Sequence, residues 1–235
     1  MTVRTDPGDT ALRNDYRLPG AITEFELERG RTGLVIIDMQ YGDAHRSGDF
    51  GRRAVEHGIE DKVEWFFSRL ERTTVPAIRR LLERARSHDM TVIYTRIAAQ
   101  TSHGGDSGWR YRLWGMTPLE HERDAQILYE IEPQADELVV TKTATSAFIG
   151  SNFDHTLRNL GLQYLVVCGV ATGACVESTV RDAADHDYRV LVAADACAAI
   201  SKNAHDNSLN AMNYIFALVK DTYEIIAQMD KQLAR

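Results

Sequence analysis

Three residues in this chain have the chemistry of a nucleophile and its helpers, and each stands at the end of an apolar run. Cys175 lies in Leu165-Val166-Val167-Cys168-Gly169-Val170-Ala171-Thr172-Gly173-Ala174-Cys175-Val176-Glu177-Ser178-Thr179-Val180. The run begins as a buried strand, passes through small residues, and resumes with Val176, Val180, Ala183 and Ala184 at helical spacing. A thiol where a helix begins faces unpaired backbone N–H groups and the positive end of the helix dipole, and both favour the nucleophilic thiolate. The same N–H groups can hold an oxyanion. Asp38 closes Gly33-Leu34-Val35-Ile36-Ile37, and Lys142 closes Leu138-Val139-Val140-Thr141. Taken singly, each also has a plain reading: Asp38 as a turn cap, Lys142 as a solvated charge, Cys175 as a small buried hydrophobe. Lys142 resists its plain reading most, because a buried ammonium needs a partner and the other two positions offer a carboxylate and a thiol.

The elements that must bring these residues together can be read from periodicity. The apolar runs are continuous rather than alternating, which implies burial on both faces and hence a parallel sheet covered by helices. Strands are expected at residues 33–40, 90–97, 137–142, about 165–170 and 189–195, with a last one at 222–227. Helical spacing recurs at Val75, Ile78, Leu81, Leu82 and Ala85, at Ile149, Phe153, Leu157 and Leu160, and from about 204 to 218. Strand and helix alternate, so the fold class expected is α/β: a doubly wound, mostly parallel six-stranded sheet with helices on both faces, a Rossmann-like three-layer sandwich. The carboxyl ends of parallel strands share one edge, where open α/β sheets bind ligands. Asp38, Lys142 and Cys175 can therefore converge despite their separation in sequence.

Residues 1–30 are polar and broken by Pro7, Gly8, Pro19 and Gly20, so they read as an N-terminal arm. Residues 31–235 read as a single domain. Residues 41–61 form a polar insertion, a lid or an oligomer contact. Residues 98–132 are irregular, with Trp109, Tyr111, Trp114 and Met116 either lining a pocket or packing under a loop. The net charge of −7 opposes nucleic-acid binding. Three cysteines without metal-ligand spacing suit a reducing compartment. No apolar run approaches 18 residues. A cytoplasmic protein with no membrane or nucleic-acid partner is expected.

The chain resembles the isochorismatase-like cysteine hydrolase superfamily over about residues 32–227. The resemblance rests on "GLVIIDMQ", "VVTKTATSAF" and "LVVCGVATGACVESTVRDAADHDYRVLVAADACAA". It implies a catalytic triad of Asp38, Lys142 and Cys175. It also implies a cis peptide at Val170–Ala171 and an oxyanion hole formed by the N–H groups of Ala171 and Cys175. The activity implied is thioester-forming hydrolysis of a C–N bond in a small linear amide or ureide, of ureidoacrylate, carbamoyl, biuret or triuret type. Two other readings are a vinyl-ether-cleaving isochorismatase and a redox-sensing protein on the same scaffold. Nicotinamidases of this superfamily bind a metal after the second strand. Here that stretch is "YTRIAAQTSHGGDSGWRY", in which His103 stands alone, so no metal and no cofactor are expected. Gln40 and Tyr41, next to Asp38, are candidates for substrate contact. So are Arg96, with Arg110 or Arg112, for a carboxylate or ureide carbonyls, and Phe148 for an apolar wall. Relatives commonly pair, so a homo-oligomer, dimer or tetramer, is expected.

Overall fold

The computed structural model describes Ile22 and residues 24–234. Its centre is a six-stranded sheet in the order β3-β2-β1-β4-β5-β6. The strands are β1 (Thr32–Ile37), β2 (Thr91–Ile97), β3 (Leu138–Lys142), β4 (Tyr164–Val170), β5 (Arg189–Ala198) and β6 (Leu218–Lys220). Every pairing within the sheet is parallel. All residues of β1 and β4 are buried, which continuous apolar runs require and which only cover on both faces can supply.

The helices follow from spacing and caps. After β1 come α1 (Tyr41–Ala44), α2 (Asp49–Glu56) and α3 (Glu60–Arg69). A π-turn at Leu70–Thr74 joins α3 to α4 (Val75–Ser87), where Pro76 lacks the N–H that an uninterrupted α-helix would use. Ile78, Leu81, Leu82 and Ala85 form the buried face of α4. Then follow α5 (Trp109–Trp114), α6 (Phe153–Asn159), α7 (Glu177–Asp185), α8 (Lys202–Met212) and α9 (Thr222–Gln232). Helices α4 and α9 pack against each other and the sheet, as do α7 and α8.

Two sequence expectations need correction. The last strand is Leu218–Lys220, and the segment expected as strand, 222–227, is helical. The reason is a capping box: the Asp221 side chain accepts from Glu224 N–H while the Glu224 carboxylate accepts from Asp221 N–H. Helix α8 ends at Met212 rather than 218. The region 41–61 is largely helical and packs into the core through Ala44 and Ala54.

Most of the expected N-terminal arm, 1–21 and 23, lies outside the described residues. Its remainder packs on its own chain: Leu27 is buried, Leu27 N–H donates to Gln232 Oε1, and Gln228 Nε2 donates to the Phe25 carbonyl. Among the described residues, no helix is long and apolar enough to cross a membrane.

One glycine decides how closely the two central strands meet. Gly169, paired with Ile37, has φ +115°, and a Cβ there would lie 2.1 Å from the Ile37 carbonyl oxygen. Both the positive φ and the contact exclude a side chain. Gly169→Ala is expected to cost at least about 3 kcal/mol. A urea titration measures this, and a loss below about 1 kcal/mol would show that β1 and β4 can separate without penalty.

Candidate active site

The strand order reverses between β1 and β4, so a crevice opens outside their carboxyl ends. Asp38 stands at the end of β1 in the left-handed region, φ 49°, which Asp tolerates better than most residues. Its N–H donates to the Thr95 carbonyl, and Thr95 Oγ1 donates to Asp38 Oδ1 at 2.7 Å. Lys142 ends β3 and reaches across the end of β2, placing Nζ 2.7 Å from Asp38 Oδ2. Both side chains are almost wholly buried. The ammonium also donates to the carbonyls of Ala144 and Thr145, at 2.9 and 3.0 Å, so all three of its donors are committed. Burial works against this charge, but Asp38 and the neighbouring Cys175 outweigh it and hold the ammonium above the usual lysine range.

Cys175 lies in a π-turn, Thr172–Val176, between β4 and α7. The Val170–Ala171 peptide before it is cis, as the resemblance implied. Cys175 Sγ is 3.8 Å from the Tyr111 hydroxyl. Burial pushes the thiol up to about 12, Lys142 pulls it down and Asp38 raises it again. Burial and the neighbouring Asp38 thus oppose the thiolate that Lys142 and the turn's N–H groups favour.

The turn is braced from behind by His205. Arg69 donates to His205 Nε2, and arginine has no acceptor, so Nδ1 carries the proton and donates to Thr172 Oγ1 at 2.8 Å. Burial, then the charges of Arg69 and Lys202, push His205 down to about 3, so it stays neutral.

Asp38, Ala171 and Cys175 open on a cavity of about 440 Å³. Its walls are mainly apolar, from Phe50, Phe66, Ile97, Trp114, Met116 and Ile200. Tyr111 also lines it, and burial holds this phenol above its usual range, hence protonated. Two arginines lie in the wall. Arg53 is paired with Asp49 at 3.3 Å and donates to the Trp114 carbonyl. Arg110 stacks near Trp114 and Tyr111, at 5.9 and 6.0 Å, and donates to Thr145 Oγ1, with no carboxylate partner among the described residues.

Of the six residues named as candidates for substrate contact, Arg110 lines this cavity and the other five do not. Gln40 is committed to backbone, its amide bonding Ile97 N–H, the Ile97 carbonyl and the Asp124 carbonyl. Tyr41 lies under Arg123 at 4.5 Å. Arg96 is held by Thr141 and Glu120. Phe148 stacks on His186 at 4.8 Å and meets Phe153 edge-on. Arg112 binds the Gly105 and Ser107 carbonyls. Thr95, Asp43 and Thr145 were missed. Asp43 and Thr145 follow conspicuous strand ends by a few residues, which is the one signal that pointed to them. Among the described residues, no three His, Cys, Asp or Glu are grouped to hold a metal ion.

Comparison with known proteins matches the isochorismatase domain to residues 32–224. The chain is 30% identical over 195 residues to the ureidoacrylate amidohydrolase RutB of Variovorax paradoxus strain S110, covering 76% of this chain and 73% of that one. It is 28% identical to the RutB of Stutzerimonas stutzeri strain A1501, covering 80% and 78%. Among solved structures, a cysteine hydrolase from Pseudomonas syringae pv. phaseolicola 1448A superposes with TM-score 0.76 at 24% identity, covering 92% of this chain and all of that one. An N-carbamoylsarcosine amidase from Thermoplasma acidophilum superposes with TM-score 0.61 at 27% identity, covering 82% and 96%.

Two outcomes test the electrostatics. Lys142→Met leaves the buried Asp38 charge without its partner and is expected to lower the unfolding free energy by about 3–5 kcal/mol. Adding Asp38→Asn should recover most of that loss in urea titrations; no recovery would mean the lysine acts by packing alone. Alkylation of Cys175 by iodoacetamide, followed by peptide mass, should accelerate with pH and show no plateau below about pH 10, as a raised thiol requires. A plateau between pH 6 and 8 would mean the resting sulfur is a thiolate.

Proposed function

The chain belongs to the isochorismatase family, and from that premise we propose that it is a metal-independent cysteine amidohydrolase acting on a small linear amide or ureide. The observation that carries this reading is that Asp38, ion-paired with the buried Lys142, lines one cavity with the Cys175 thiol. The names of the relatives, ureidoacrylate amidohydrolase and N-carbamoylsarcosine amidase, support the C–N bond as target.

The geometry suits the following sequence. Substrate fills the dry cavity with its carbonyl at Sγ. Asp38, with Lys142 fixing its position and charge, takes the thiol proton as sulfur attacks. The oxyanion is held by the N–H groups of Ala171 and Cys175, each such donor being worth about 3–4 kcal/mol in the transition state. Asp38 returns the proton to the departing nitrogen, ammonia or an amine leaves, and a thioester remains. Water, deprotonated by Asp38, then cleaves the thioester and restores the thiol.

Because Lys142 has no spare donor, it serves as a fixed charge, and Asp38 is the only group of the pair that carries a proton through the cycle. Arg110, an unpaired cation in an apolar wall, favours substrates with an anionic end, such as ureido acids, over neutral biuret or triuret. The raised thiol speaks against a redox sensor, since sensor cysteines hold a low, exposed thiolate. A vinyl ether needs no thiol nucleophile, which leaves Cys175 without a task on the ether-cleaving reading.

Ammonia release from ureidoacrylate, N-carbamoyl amino acids, maleamate, biuret, triuret, nicotinamide and isochorismate, with and without chelator, tests this reading. The expected outcome is chelator-insensitive turnover of an anionic ureide or amide, reduced at least about 10⁴-fold by Cys175→Ala. Turnover that survives Cys175→Ala, or that a chelator removes, would overturn it.

A further inference from the structure

The cavity holds a second carboxyl for which the mechanism has no use. Asp43 sits in the single turn α1, five residues after Asp38, and lines the cavity on which Cys175 opens. Its acidic neighbours are accounted for. Asp38 pairs with Lys142, Asp49 with Arg53, and Asp124 with Arg52 at 2.7 Å. Asp43 has no hydrogen-bond or ion-pair partner among the described residues, although it is mostly shielded from solvent. Of the cavity's other side-chain oxygens, Asp38 is paired, and Thr145 Oγ1 already accepts from Arg110 and Tyr111. Asp43 is thus a carboxyl of this wall without a partner among the described residues, whereas Asp38 is paired with Lys142 and the Tyr111 hydroxyl donates to Thr145.

A substrate with N–H groups that enters such a cavity loses water from each of them and must find an acceptor or lose binding energy. We infer that Asp43 is the residue that makes this protein specific for N–H-bearing substrates: its carboxyl accepts the N–H groups of the ureide or amide bound in the Cys175 cavity. The inference rests on the amide or ureide reading above and narrows it, because it excludes esters and fully N-alkylated amides as good substrates.

The electrostatics agree with a group awaiting a donor. Burial first, then the charge of Asp38, push the Asp43 carboxyl up to about 7; Lys142 pulls it down, and Asp49 and Asp124 raise it further. Near neutrality the group is therefore divided between acid and carboxylate. Either form serves: the carboxylate accepts through both oxygens, the acid through its carbonyl oxygen. A ureide offers several N–H groups within one planar unit, which suits a two-oxygen acceptor better than a simple amide does.

The test is calorimetric binding to full-length Cys175→Ala protein, which removes turnover. The probes are 3-ureidopropanoate and its counterpart carrying two methyl groups on the terminal nitrogen. The expected result is preference for the ureide, and a loss of about 10- to 100-fold in its affinity on adding Asp43→Ala, while the dimethylated probe changes by less than about 3-fold. Asp43→Asn, which keeps an acceptor oxygen, should restore part of the preference. Equal losses for both probes, an unchanged ureide affinity, or binding of neither probe would overturn the inference. Equal affinity of the two probes for the Cys175→Ala protein would overturn it without any Asp43 variant, so a variant that fails to fold does not shelter it. The two readings fail separately. Ureide preference without any ammonia release in the substrate panel would sink the hydrolase reading alone. Ammonia release without the preference would sink only the role of Asp43.

Discussion

A carboxylate and an ammonium 2.7 Å apart, both almost wholly buried, set the terms for everything around them. Each charge alone would be costly there, and each is tolerable because the other is present. The arrangement leaves little slack. The lysine's remaining donors bind the Ala144 and Thr145 carbonyls, and one carboxylate oxygen is held by Thr95. The second carboxylate oxygen faces Lys142 and has no further hydrogen-bond partner. The burial that makes the pair necessary also raises the thiol. On the proposed mechanism, activation comes with substrate, when an oxyanion in the backbone N–H groups replaces a bare thiolate as the charge to be stabilised.

The sheet supplies this arrangement through its topology. Asp38 and the Cys175 turn belong to the two strands between which the order reverses, and helices leave in opposite directions from that crevice. The gap must be narrow at the base and open at the top. Gly169 makes the base narrow by letting β4 approach the Ile37 carbonyl. The aromatic and aliphatic side chains from 50, 66, 114, 116 and 200 then form the walls above. His205 and Arg69 hold the nucleophile's turn from the far side, with a hydrogen-bond direction that arginine's chemistry leaves no freedom to reverse.

Most of this frame was legible in the residues. Continuous apolar runs give parallel strands, and a polar residue closing such a run marks the functional edge; Asp38, Lys142 and Cys175 were all visible on that logic. The walls were not legible. Arg96 ends a strand just as Lys142 does, yet it lies toward Thr141 and Glu120 because its strand neighbours offer it partners outside the crevice. Phe148 follows Lys142 closely but turns to the aromatic cluster of Phe153, His186 and Tyr188. Gln40 is adjacent to Asp38 and becomes a backbone clamp. Spacing locates a backbone position, whereas the direction of a side chain depends on which partners the packed fold presents. The exchange of strand for helix at 222–227 has a different cause. Asp221 and Glu224 carry a capping signal, and the apolar Ile225 and Ile226 drew attention away from it.

The position of Lys142 has a structural meaning apart from its charge. It grows from β3, the strand at the outer rim of the sheet, whose Leu138 and Val139 are exposed, and it reaches over the end of β2 to β1. A bond between first and third strand across a second is a tie beam. It fastens an edge strand to the centre at the carboxyl end, where ladder pairing stops. A parallel sheet gains no such lateral fastening from hairpins, because its consecutive strands are joined by long crossovers. Here one pair of atoms both ties the sheet's margin to its centre and fills the role proposed for activating the sulfur.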